Sequence, residues 1–252
     1  MPLYDSKHRL VLPPSSQISQ SSSPGLKEQV EALDQLRPHL EPGMPAYQAI
    51  APRIAGDFQR WRQMTVDDML LENRVIFLVG EINHVSSYNV IMRLLYLQNL
   101  RKDQEIMMYV NSPGGSVDDT LAMYDTMKYL TCDVHTYVIG HAMSGGAVIL
   151  AAGAKGKRYA MPHAKVMIHQ PFGGIWGQTE DIAIQAQEIL KTKNTLTTLL
   201  SRLTGQPPER IAEDQERDKY FDAQEAKAYG LVDEVLEENE RHNPKPATPA
   251  AK

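Results

Sequence analysis

Three short apolar runs do most to limit how this chain can fold. They are Val75 to Val79 (VIFLV), Glu105 to Val110 (EIMMYV) and Val134 to Ile139 (VHTYVI). The first two read as buried strands because their apolar runs are unbroken, and the third reads as a further strand. Helical patterns separate them. Val85 to Asn99 puts Ile91, Leu94, Leu95 and Leu97 on or near one face. Ser116 then caps a helix through Leu130, with Asp118 and Asp119 in its first turn. Strands and helices that alternate in this way imply a parallel sheet with right-handed crossovers, an α/β fold.

The flanking elements follow the same logic. Thr65 caps a short helix through Asn73. Arg158–Met161 and Lys165–Ile168 read as short strands, and 207–216 as a helix opened by prolines. Residues 218–222 are extended, Ala223–Tyr229 is a helix stopped by Gly230, and Leu231–Leu236 is a last strand. Thr179 to Thr204 reads as one long helix closed by Gly205. At 1.5 Å per residue it would run roughly 40 Å, more than a domain of this size needs to cover itself. Its stripe of Ile182, Ala186, Ile189, Leu196, Leu200 and Leu203 predicts a projecting helix that packs on another subunit, with a long core helix as the alternative. Residues 1–64 carry prolines and serine-rich stretches and are expected to be an extension or propeptide. Residues 65–237 form the folded domain, and 238–252 a charged, disordered tail.

Composition excludes several classes. A formal charge of −5 leaves no basic footprint for nucleic acid. The single cysteine, Cys132, rules out an internal disulfide and any CxxC motif, so its expected role is packing. No apolar run approaches the ~20 residues of a membrane span. Residues 6–23 are serine-rich and somewhat basic, which leaves an organelle transit peptide open beside the expected cytoplasmic location.

Chemistry points to Ser144. It sits in Ala142-Met143-Ser144-Gly145-Gly146, between the strand at 134–139 and a helix starting near Ala147. A serine at such a corner presents its hydroxyl at a helix N-terminus, where free N–H groups can hold an oxyanion. Ser-Gly-Gly also makes ordinary turns. A nucleophilic serine needs a base. His169, at the end of a strand, and His141, three residues before the serine, are both candidates. His8, His39, His84, His135, His163 and His242 lie in tails, turns or beside core elements.

From about Leu70 to Leu236 the chain resembles the ClpP family, the proteolytic subunits of the caseinolytic protease. The matching runs are RVIFL at 74–78, YVNSPGGSV at 109–117, YDTMKY at 124–129, AAGAKGKRYAMPHAKVMIHQP at 151–171 and ERDKYFDAQEAKAYGLVDEVL at 216–236. The resemblance implies a crotonase/ClpP-like spiral of ββα units with a projecting handle helix at 179–204. It implies a serine endopeptidase that hydrolyses peptide bonds of unfolded proteins inside an oligomeric chamber. On matching positions, Ser144 becomes the nucleophile, His169 the base and Asp218 its orienting carboxylate. The N–H groups of Gly115 and Gly145 become the oxyanion donors. Gly173, Gly174 and Ile175 line an extended substrate strand. The resemblance further implies two stacked heptameric rings, a tetradecamer, and an AAA+ unfoldase partner of the ClpX, ClpA or ClpC type. No cofactor is intrinsic and no metal is expected. With no Walker motif in this chain, ATP belongs to that partner.

Some positions depart from the family pattern. Gly145 stands where methionine is usual, Met143 where alanine is, and His141 where glutamine is. Met107 replaces an aromatic of the unfoldase-docking pocket, which Tyr109 and Tyr129 otherwise match. A glycine at 145 is expected to loosen the turn and remove a contact to substrate. A weakly active or structural subunit of a mixed ring is therefore the alternative function. An acyl-CoA enolate enzyme of the same fold would also suit two convergent N–H groups, but it leaves the serine, histidine and aspartate unexplained. A serine–lysine peptidase is disfavoured because His169 is the better base.

Overall fold

The computed structural model describes residues 64–174 and 177–237. The extension through residue 63, the tail from 238 and Ile175 lie outside them. The elements are α1 (Val66–Glu72), β1 (Val75–Val79), α2 (His84–Leu100), β2 (Ile106–Ser112), α3 (Val117–Tyr129), β3 (Val134–Met143) and α4 (Gly145–Ala151). They continue as β4 (Arg158–Ala160), β5 (Lys165–Ile168), α5 (Thr179–Thr204), α6 (Pro208–Asp214), β6 (Lys219–Phe221), α7 (Ala223–Tyr229) and β7 (Glu234–Val235). The sheet runs β1-β2-β3-β4-β7, all parallel, as the strand–helix alternation requires. The fold is α/β.

Capping fixes the helix starts. Thr65 Oγ1 accepts from the Asp68 N–H and the Asp68 carboxylate accepts from the Thr65 N–H, a reciprocal capping box. Asn83 and Ser86 form the same pair ahead of α2, and Asp222 and Glu225 ahead of α7. Ser116 caps α3 through the Asp119 N–H.

The strands are less symmetrically buried than their apolar runs suggest. Ile76, Leu78, Ile106, Met108 and Val110 are fully or almost fully buried, while the alternate positions of β1 and β2 are partly exposed. The far face is occupied by an aromatic ladder in register: Phe77, Tyr109, Tyr137 and Tyr159 stack at centroid distances of 5.3, 4.8 and 4.8 Å. One face of the sheet is thus core and the other is a half-open surface of rings.

Strand β3 departs most from expectation. It continues through Gly140 and His141 to Met143, because its partner strand accommodates an irregularity. Val110 pairs with Val138, but Ser112 pairs with Ala142. Asn111 closes the gap with its side chain, accepting a bond from the His141 N–H at 3.3 Å. Gly140 adopts φ +88° there, and a β-carbon on it would come within 2.9 Å of the Asn111 amide oxygen. The bend lets β3 change neighbours. Thr136 to Val138 pair with β4, and His141 to Met143 pair with β5. Ser144 is thereby delivered beside β5. The last strand is shorter than expected: Leu231 and Val232 are buried but held by bonds to Ala226 O, and only Glu234–Val235 joins the sheet.

Helix α5 is about 39 Å long. Only its end is buried, at Leu196, Leu199 and Leu200, with Leu203 packed against the core. Ile182, Ile184 and Leu190 are exposed, so the described residues do not cover the N-terminal half of this helix, as a core helix would require. Cys132 is buried beside the Arg74 guanidinium, which donates to the carbonyls of Leu97, Gln104 and Glu105. Among the described residues no helix is long and apolar enough to cross a membrane.

Candidate active site

β3 ends at Met143 and α4 begins at Gly145, so Ser144 alone makes the corner. Its φ of 53° and ψ of −120° are costly for a residue with a side chain, by about 1–3 kcal/mol. Backbone bonds hold it there. The Ser144 N–H donates to Met167 O of β5 at 2.8 Å, and its carbonyl accepts from the N–H groups of Ala147 and Val148 at 3.0 and 3.2 Å. Its hydroxyl makes no capping bond. A strained corner of this kind holds a hydroxyl clear of the backbone.

The loop after β2 lies against this corner. Gly114 and Gly115 have φ of +89° and +152°. A β-carbon on Gly114 would lie 2.6 Å from Met143 O, 2.7 Å from Ser144 Cβ and 2.9 Å from Gly145 N, and one on Gly115 would overlap Ile82 O. Only glycine permits this approach. Gly114 O accepts from the Ile82 N–H at 2.8 Å, Ile82 O accepts from the Ser116 N–H at 2.9 Å, and Ser112 Oγ accepts from the Gly114 N–H at 3.1 Å. Among the described residues, the N–H groups of Gly115 and Gly145 make no hydrogen bond. Both sit beside Ser144, and Gly145 opens α4 facing Thr120 and Ile82, which a β-carbon there would meet.

His169 follows β5. The antiparallel pair of β5 and β6 aligns Ile168 with Lys219, so the next step of the register sets His169 opposite Asp218. His169 Nδ1 and Asp218 Oδ1 are 3.1 Å apart. With Nδ1–H donating to the carboxylate, Nε2 carries the free lone pair. That Nε2 is buried and has no hydrogen-bond partner, while Asp218 remains 56% exposed. The Phe172 ring meets the His169 ring edge-on at 5.4 Å.

Neighbouring groups fix both ends of this pair. The Gln170 N–H donates to Gln215 O at 2.5 Å, its amide donates to Glu216 O at 3.1 Å, and its Oε1 accepts from Lys193 of α5 at 2.9 Å. Lys219, beside Asp218, bonds Asp214, which also accepts from the Tyr229 hydroxyl at 2.7 Å. Burial raises the Asp214 carboxyl pKa, but the bonds from Lys219 and Tyr229 outweigh it and hold the group below its ordinary value. Burial and that carboxylate push the Tyr229 hydroxyl up.

Ser144, Gly115, Gly145 and His169 line one cleft. Val117, Val148, Ile168, Pro171, Leu196 and Leu200 make its walls apolar, and Thr120 and Gln215 add polar groups. Asp218 stands behind His169, outside this lining. Gly173 and Gly174 are exposed, in a stretch without regular structure, and do not line the cleft. Neither does His141, whose backbone is tied into the β3 ladder, and among the described residues no lysine lines the cleft. Sequence reasoning missed Thr120, Gln170 and Gln215. Only Gln170, next to the candidate base, carried a signal in its position. Among the described residues no cluster of His, Cys, Asp and Glu suits a metal ion.

A family profile described as Clp protease matches residues 58–239, most of the chain. The chain belongs to the Clp protease family. A Clp relative from Rhodopirellula baltica, named ATP-dependent Clp protease proteolytic subunit 1, is 51% identical over 179 residues, which are 71% of this chain and 79% of the relative. The α/β sheet with its long projecting helix is the ClpP fold expected from the sequence. Serine peptidase activity goes with Clp protease membership, and the chain is of the proteolytic-subunit type.

Proposed function

We propose that Ser144, His169 and Asp218 are the catalytic triad of this peptidase, with the Gly115 and Gly145 N–H groups as oxyanion donors. One observation carries the reading. His169 Nε2 is buried without a partner in the cleft that Ser144 lines, while its Nδ1 is bound to Asp218. Nε2 takes the Ser144 proton as Oγ attacks a peptide carbonyl, and the oxyanion that forms meets the two free N–H groups. Nε2 then protonates the leaving amine, and water hydrolyses the acyl-enzyme by the same roles in reverse. Asp218 keeps the tautomer and stabilises the imidazolium. No step needs a cofactor.

The proposal extends to the assembly. The substrates are unfolded polypeptides, bound as extended strands that leave the cleft past the exposed Gly173 and Gly174. Two heptameric rings enclose the sites, and the uncovered apolar residues of α5 support packing of its N-terminal half on another copy. The partner is a ring-shaped AAA+ unfoldase that uses the ATP. The relative's name, which includes ATP-dependent, supports this. The location proposed is the cytoplasm. Gly145, which motivated the structural-subunit alternative, keeps its N–H free, and no observation favours that reading.

The test is Ser144→Ala. Loss of both labelling by an active-site serine probe and turnover of fluorogenic peptides is expected. Peptide cleavage retained in this variant would overturn the assignment.

A further inference from the structure

The glycine after the nucleophile is explained by a residue on another helix. Gly145 does not have a positive φ, so its backbone would accept a side chain. Space forbids one. A β-carbon at 145 would overlap Thr120 Oγ1 and lie 3.3 Å from both Thr120 Cγ2 and Ile82 Cδ1. Thr120 cannot swing away. Its hydroxyl donates to Ser116 O at 2.8 Å, the residue is 1% exposed, and a β-branched side chain in a helix has few rotamers. The same residue lines the cleft beside Ser144. The volume that a side chain at 145 would occupy is therefore filled from α3.

We propose that Thr120 is a positioning and specificity residue of the peptidase site, resting on the assignment of Ser144 and Gly145 above. It clamps the first residue of α4, so the Gly145 N–H keeps its direction although glycine itself imposes none. It also walls the cleft next to the nucleophile. It thereby limits the size of the substrate side chain on the carbonyl side of the scissile bond, favouring small and medium apolar residues over aromatic ones. Thr120 and Gly145 thus form a coupled pair, each setting what the other position can hold.

The experiment compares wild type, Thr120→Ala, Gly145→Ala and the double variant. Each is assayed with fluorogenic peptides that differ only in having Ala, Leu or Phe before the scissile bond. Thr120→Ala raises the ratio of kcat/KM for Phe over Ala by about tenfold or more. Gly145→Ala lowers kcat on every peptide by about a hundredfold with KM little changed, because the oxyanion donor is displaced. The double variant recovers most of that loss, a non-additivity that only contact between the two positions produces. An unchanged Phe/Ala ratio in Thr120→Ala, or a double variant no better than Gly145→Ala, overturns the proposal. If Gly145→Ala does not fold, Thr120→Ala and Thr120→Ser decide through the ratio alone. If wild type takes no serine probe, the peptidase reading has failed separately. Unfolding temperatures then judge the pair: a loss in Gly145→Ala relieved in the double variant supports coupling, and additive losses refute it.

Discussion

Replacing Gly114 with alanine tests whether the loop after β2 must touch the nucleophile corner. The new β-carbon would lie 2.6 Å from Met143 O, 2.7 Å from Ser144 Cβ and 2.9 Å from Gly145 N, where ordinary contacts begin at 3.4 Å. Two of these neighbours are backbone atoms, so no flexible side-chain end can yield. The loop has to retreat by about 1 Å, and a displacement of that size at a reacting centre costs about a hundredfold in rate. The residue must also hold φ at +89°, which costs an L-amino acid about 1–2 kcal/mol. Gly114→Ala should therefore lose about two orders of magnitude in kcat/KM, while its midpoint of thermal unfolding drops by roughly 2–8 °C. The assay pairs fluorogenic peptide turnover with the rate of serine-probe labelling, both on protein shown to be folded by circular dichroism. Turnover within threefold of wild type would refute the requirement that this loop touch the nucleophile corner.

Other perturbations probe separate parts of the molecule. Asp218→Asn keeps the shape of the pair with His169 but removes its charge. Turnover should fall by about two to four orders of magnitude, and a value near wild type would move the orienting role elsewhere. Asp233→Asn leaves Arg158, 4% exposed, without its carboxylate partners at 2.5 and 2.8 Å, so urea unfolding at pH 7 should lose about 3 kcal/mol. Burial raises the Asp233 pKa, but its bonds to Arg158 lower it further, leaving it below the unfolded value of about 3.9. Its contribution is complete above that pH and lost as pH falls through the folded value, so the gap between variant and wild type should close in strong acid. His135 is buried, and burial lowers its pKa more than Glu105 and Asp133 raise it; Lys157 also lowers it. The folded state thus favours the neutral ring, and wild type should lose stability as pH drops below about 6.5. His135→Gln should flatten that slope, and an identical slope would remove His135 as its source.

The sequence showed the strands and caps more clearly than the site. Apolar runs marked β1 and β2, and Thr65, Ser116 and Gly205 marked helix ends, because these signals lie within a few residues of the structure they specify. The extension of β3 through Gly140 was hidden, since it depends on Asn111 of another strand filling a gap in the ladder. Asp218 is 49 residues from His169, and only the β5–β6 pairing brings them together. The family resemblance supplied what spacing could not. Gly145 looked like a weakness for a similar reason. The side chain that confines it, Thr120, is on α3 and nothing near position 145 announces it.

The change of partners along β3 also affects how the site would tolerate error. Ser144 is tied to β5 through Met167, and His169 follows the same strand by a single residue. Nucleophile and base are therefore mounted on a shared beam, and a drift of β5 carries both together. The carboxylate comes in on a separate arm, a ribbon of three residue pairs with its end open to solvent. Alignment in this peptidase thus depends on two separate pairings, one shared by serine and histidine and one that carries the carboxylate. A displacement confined to 216–221 would therefore take Asp218 away from His169 while leaving Ser144 and the His169 backbone on β5.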